Sequence, residues 1–95
     1  MTETNTEYIQ LVLSLSASPA CKLALITLII EDRPLTTREL NLNLSLNKTF
    51  KNYLDLFSDM ISIGVVRKVK QKTKAGILRE HFEIVLDTLS DLVEE

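Results

Sequence analysis

The stretch that most narrows what this chain can fold into is residues 35–66, LTTRELNLNLSLNKTFKNYLDLFSDMISIGVV, which reads as helix, turn, helix and extended segment. Thr36 followed three residues later by Glu39 is a reciprocal capping box: the threonine oxygen accepts a free helical N–H, and the glutamate accepts the N–H of the cap residue. A second helix is expected to start at Ser45, whose hydroxyl suits an N-cap. From there Leu46, Phe50, Tyr53, Leu54, Phe57 and Ile61 recur at three- and four-residue spacing. The period predicts one helix over residues 46–62, roughly four turns long, with a single apolar stripe. Its polar face carries Asn47, Lys48, Lys51 and Asn52 first, then Asp55 and Asp59. Gly64 stops the helix, and Val65 and Val66 open an extended run.

Residues 40–46, LNLNLSL, carry a competing signal, because strict alternation is a strand pattern. Asn is a poor strand former and the cap at Thr36 favours a helix, so a helix is expected, with Leu42 left on the wrong face. Upstream, residues 7–15 (EYIQLVLSL) are ambiguous in the same way: Ile9, Leu11, Leu13 and Leu15 alternate, while Tyr8, Val12 and Leu15 fit a helix. A helix is the expectation there too. Ser18-Pro19 is a helix start, and residues 19–31 are apolar almost all round, which predicts a central core helix contacted on several sides. Pro34-Leu35 could supply a very short strand. Downstream, residues 65–70 and 77–85 are β-rich runs joined by QKTKAG, a hairpin with Gly76 in its turn. Leu78, Phe82 and Ile84 are expected to close over the helices, with Arg79, His81 and Glu83 facing out. Residues 87–95 form a short amphipathic helix that must pack on something to be stable.

L-T-x-x-E-L, then L-x-L-N-K-T-F, then a helix ending in M-I-S-I-G-V-V resembles the helix-turn-helix and first strand of small winged-helix transcriptional regulators. The nearest kinds are the MarR, ArsR and PadR-like regulators and their archaeal and archaeal-virus relatives. With the hairpin, the resemblance covers about residues 20–86. Two departures are the interval from Phe50 to Gly64, about one helical turn longer than the pattern, and Asn41 and Asn43 in place of small residues. The expected fold class is mainly α with a small antiparallel β-hairpin: a winged helix-turn-helix core over residues 19–86, an N-terminal extension over 1–18 and a C-terminal helix over 87–95.

A chain of 95 residues is one domain, able to bury only about 60–65% of its unfolded surface, so extra burial through a partner is plausible. No apolar run approaches the roughly 20 residues that span a bilayer, and no basic segment precedes an apolar leader, so a cytoplasmic protein is expected. One cysteine cannot form an internal disulfide, and one Cys with one His is too few for a metal site of those residues. Cys21 is expected to be a small core residue. The net charge of −2 conceals an uneven distribution. Residues 33–81 hold ten Lys and Arg against four acids; residues 1–32 hold one against four, and residues 82–95 hold five acids and no base. The centre is a basic body between acidic ends.

No Gly-rich phosphate loop, no nucleophile beside a base and no His pair is present, so binding rather than catalysis is expected, with no cofactor, metal or small-molecule ligand inferred. The resemblance implies double-stranded DNA as the partner, with the second helix in the major groove. Asn47, Lys48, Lys51 and Asn52 are then the candidates for base edges, since Asn pairs with adenine and Lys with guanine. Thr37, Arg38, Ser45, Thr49, Arg67, Lys68, Lys70, Lys72 and Lys74 are the candidates for phosphates, the wing touching them through residues 70–76. A homodimeric regulator or DNA-organising protein follows, its subunits joined through Tyr8, Ile9, Val12, Leu13 and Leu15 of the first helix and Leu89, Leu92 and Val93 of the last. The alternative is a winged helix used for protein interaction in a transcription, replication or chromosome-maintenance assembly.

Overall fold

The structure is a computed structural model that describes residues 3–15 and 18–94, with side chains over 7–14 and 18–91. In order, the elements are α1 (Glu3–Leu15), α2 (Pro19–Glu31), α3 (Thr37–Leu44), α4 (Phe50–Leu56), α5 (Ser58–Ser62), β1 (Val66–Lys72), β2 (Leu78–Ile84) and α6 (Leu86–Glu94). The domain is mainly helical, with one two-stranded antiparallel hairpin and a terminal helix, an arrangement compatible with a winged helix.

Local chemistry places the helix starts. Ser18 Oγ accepts from the Cys21 N–H at the head of α2, with Pro19 at the first position. Cys21, Ala24, Leu25, Leu28 and Ile29 of α2 are buried, and α1, α3 and β2 pack on it. The ambiguous residues 7–15 are helical, with Val12 fully buried and the Tyr8 hydroxyl 2.8 Å from Ser90 Oγ of α6. The capping box of α3 is present in both directions: Thr36 Oγ1 accepts from Glu39 N–H (3.1 Å) and Glu39 Oε1 accepts from Thr36 N–H (3.0 Å). The cap prevails over the alternation of 40–46, and Leu42 is accordingly left 73% exposed.

The second helix differs from expectation at its start. Ser45 does not begin it; Ser45 ends α3 in the left-handed region (φ 54°), and residues 45–49 form a loop. The cause is Asn41. Its Nδ2 donates to the Lys48 carbonyl (2.8 Å), and its Oδ1 accepts from the Lys48 N–H (3.0 Å) and the Tyr53 hydroxyl (2.7 Å). Three groups of the loop and the next helix are thus held by one amide of α3. Thr49 becomes the N-cap of α4, exchanging bonds with Asn52 in a second capping box. Leu46 falls outside the apolar stripe, 37% exposed. The expected helix over 46–62 is also bent. Phe57 (φ −92°, ψ 4°) separates α4 from α5, where Ser58 and Asp59 are residue types that start helices more readily than they continue them. Tyr53, Phe57 and Met60 remain buried through the bend.

The hairpin pairs Val66 with Ile84 at its root and Lys72 with Leu78 near its tip. Its turn is closed by Thr73 N–H to Ile77 O and Gly76 N–H to Thr73 O, both 2.8 Å, with Gly76 at φ 80° where a side chain would be strained. Leu35 forms the expected short strand, exchanging backbone bonds of 2.9 and 2.8 Å with Phe82. Phe82 packs its ring 5.2 Å from Phe50, 6.1 Å from Tyr53 and 5.1 Å from Phe57, so the hairpin is anchored by aromatic contact to α4 and its C-cap. Two side chains of β2 differ from the alternation. Leu78, near the tip and beyond the reach of the helices, is 59% exposed instead of covering them. His81 is 4% exposed instead of facing out, and its Nδ1 lies 2.9 Å from the Arg79 carbonyl.

Among the described residues no buried side-chain nitrogen or oxygen lacks a partner, which makes the Asn41 site sensitive to deletion. Asn41→Ala should cost about 2–3 kcal/mol in urea unfolding, because it strips the Lys48 backbone and Tyr53 hydroxyl of partners. Asn43→Ala, which removes one exposed bond to the Glu39 carbonyl (2.9 Å), should cost about 0.5 kcal/mol or less. Equal losses from the two would contradict the bracket.

Candidate nucleic-acid interface

Docking Leu35 on Phe82 brings the head of α3 beside the hairpin, and an open groove of about 890 Å³ lies between them. Arg33, Pro34, Thr36, Thr37, Arg38 and Glu39 line one wall; residues 71–75, Ile77, Arg79, Glu80 and His81 line the other, and Phe50 also borders it. Five cations ring this space, Arg33, Arg38, Lys72, Lys74 and Arg79, against Glu39 and Glu80. Arg33 is held in place by Glu39 at 2.7 Å. Burial works against the charge on Glu39, but the Thr36 N–H and the Arg33 guanidinium outweigh it and hold the carboxyl below its usual range.

Of the expected phosphate contacts, Thr37, Arg38, Lys72 and Lys74 are brought together in this groove. Arg67 is at the hairpin root and bonded to Glu83, so its charge is already matched. Strand register sets Lys68, Lys70 and Lys72 on one face of the hairpin, opposite Phe82, Glu80 and Leu78, with Arg67 and Arg79 on the other. Arg33 and Arg79 are groove residues that sequence reasoning counted as charge but did not assign. Their only sequence signal was that charge; their position depends on the Leu35 bridge.

The expected base-reading residues cluster on the loop and first turn of α4, flanking Phe50. Asn47, Lys51 and Asn52 are exposed and Lys48 is half-buried. The structure spends part of this set on architecture. Asn52 Oδ1 accepts from the Thr49 N–H and Thr49 Oγ1 accepts from the Asn52 N–H, both within 3.1 Å. A bidentate pairing of Asn52 with adenine would therefore break the cap, while Asn47 has no side-chain bond among the described residues. Ser45 is exposed at the end of α3.

The residues expected at a subunit contact divide. Val12 and Leu89 are fully buried inside the subunit, where α1 meets α6, and are not surface at all. Tyr8 and Ile9 are half-buried and Leu13 is 48% exposed. The side chains of Leu15, Leu92 and Val93 lie outside the described residues.

Among the described residues no three His, Cys, Asp or Glu side chains converge as a metal site, and no helix is long and apolar enough to cross a membrane. No protein-family model matches the chain, and no curated protein matches it significantly.

The lowered Glu39 carboxyl has a pH signature. A carboxylate depressed in the folded state adds stability above its unfolded value, and this is lost as pH falls through the folded one. The stability gap between the native chain and Glu39→Gln should be present at neutral pH and narrow progressively as pH falls below the usual carboxylate range, measured by urea midpoints. A gap of the same size at neutral and acid pH would contradict the charged cap.

Proposed function

We propose that the chain binds double-stranded DNA as a homodimeric regulator or DNA-organising protein. The observation that carries this reading is the convergence of five cations on one groove between α3 and the hairpin in a protein whose overall charge is negative. A duplex presents a charge every ~1.7 Å along its axis, and neutralising it releases condensed counterions. In this reading a phosphodiester strand follows the groove, held by Arg38, Lys72, Lys74 and Arg79, with Thr37 donating a hydroxyl. The first turn of α4 faces base edges. Lys51 suits guanine O6 and N7, and Asn47, with both amide atoms available, suits adenine N6 and N7. Asp55 and Asp59, exposed further along, limit close approach to that first turn. Two subunits would present two such turns to successive major grooves, about 34–36 Å apart, and so favour a pseudo-palindromic site.

Two measurements test this. With four phosphate contacts per subunit, log K should fall against log salt with a slope of roughly −4 per subunit, and Lys72→Ala with Lys74→Ala should shallow it by about 2 without changing sequence preference. An unchanged slope would remove the hairpin from the interface. Lys51→Ala or Asn47→Ala should cost about 1–3 kcal/mol on a preferred site and less on random duplex. Equal losses on both would mean that α4 holds the backbone and reads no sequence.

A further inference from the structure

An intact duplex leaves two features of the groove unused. Phe50 borders the groove and is half-buried, its ring stacked on that of Phe82 at 5.2 Å and 25°. Phe82 lies 5.1 Å from Phe57, and both are fully buried, so Phe50 is the outermost ring of an aromatic stack that ends at the groove. His81, 4% exposed, lines the same space. Its Nδ1 lies 2.9 Å from the Arg79 carbonyl, which can only accept, so the ring proton sits on Nδ1 and Nε2 is left as an acceptor. Among the described residues Nε2 has no bond, yet no fully buried side-chain nitrogen lacks a partner, so Nε2 opens on the groove rather than on the closed core.

We propose that the groove seats one unpaired nucleotide, its base on the Phe50 ring with an N–H toward His81 Nε2, and its phosphate among Arg38, Lys72, Lys74 and Arg79. A paired duplex keeps its bases stacked inside and can bring only phosphates to these cations. An apolar molecule would leave the cations without an anion, and an acidic peptide would answer the charge without bringing a ring to Phe50. Every nucleotide carries a π-face beside its phosphate, which is why aromatic rings in basic grooves hold unpaired strands of any sequence. The groove, at about 890 Å³, is of the size that encloses a small ligand. The same chemistry is offered by a single-stranded end of DNA and by a free nucleotide. The inference rests on the groove being the phosphate site of the proposed function, and it needs neither base reading by α4 nor a dimer.

The test compares a short blunt duplex, the same duplex with single-stranded ends, and thymidine 5′-monophosphate alone, each titrated into the full chain. The single-stranded ends should raise affinity by about 10-fold, since one base stacked on an aromatic ring contributes that order. Phe50→Leu, which keeps an apolar side chain against Phe82 but offers no ring, should bring the two affinities together while the helical circular dichroism stays in place. In the native chain the ring signals of Phe50 and His81 should move with the single-stranded ends beyond any movement caused by the blunt duplex, a readout that holds even if the variant fails to fold. Movement of both rings by the monophosphate alone would make a free nucleotide a ligand in its own right, and movement by the single-stranded ends alone would assign the seat to DNA. Equal affinity for the two duplexes with no ring response to the monophosphate would overturn the proposal, as would a preference that survives in Phe50→Leu. A chain that takes the monophosphate but no blunt duplex would sink the duplex reading and leave this one standing.

Discussion

The Asn41 side chain is the interaction on which the candidate interface depends. It binds both backbone groups of Lys48 and the Tyr53 hydroxyl, so it fixes the α3–α4 loop and the point at which α4 begins. Without it, Ser45 and Thr49 compete as helix starts, since both are good N-cap residues. With it, Ser45 is forced into a left-handed C-cap and Thr49 takes the start. Everything that α4 carries outward, including Asn47 and Lys51, is placed by that choice. The same bond brings the Tyr53 ring into the core, where burial also pushes its hydroxyl pKa up and keeps it a neutral donor.

The groove depends on a second connection. Phe82 is bridged through its backbone to Leu35 and packed through its ring on Phe50, Tyr53 and Phe57. That one residue joins the hairpin to the head of α3 and to α4, so that Lys72, Lys74 and Arg79 of the hairpin border the same groove as Arg33 and Arg38. The excess positive charge of the central sequence becomes a local field only because of this docking. Acidic residues at the two ends of the sequence lower the total charge, while among the described residues the acids lining the groove are Glu39 and Glu80.

Features carried by local chemistry were legible in the sequence. The Ser18-Pro19 start, the Thr36–Glu39 box and the Gly76 turn each follow from residues a few positions apart, and Leu42 was expected to look misplaced. Features that rest on contacts across space were not. Nothing in the seven-residue interval from Asn41 to Lys48 announces a bracket, so the helix start was assigned to the first suitable hydroxyl, Ser45. The T-x-x-N of a capping box was visible at Thr49 and Asn52, but both residues were assigned to DNA. His81 looks outward by alternation, yet it is buried. The charge of the central region was readable as a sum, while the membership of Arg33 and Arg79 in one groove needed the fold. Apolar positions in α1 and α6 looked like spare surface until Val12 and Leu89 were seen to be buried, whereas α2, which looked like pure core, leaves Leu23 and Ile30 exposed.

The most direct measurement is a titration of the isotopically labelled chain with a short duplex, following backbone amide signals residue by residue. The account predicts shifts concentrated in residues 33–38, 47–52 and 71–79, the two walls of the groove and the first turn of α4, with α1 and α6 unmoved. Shifts confined to α1 and α6, or no shifts at low salt, would contradict it.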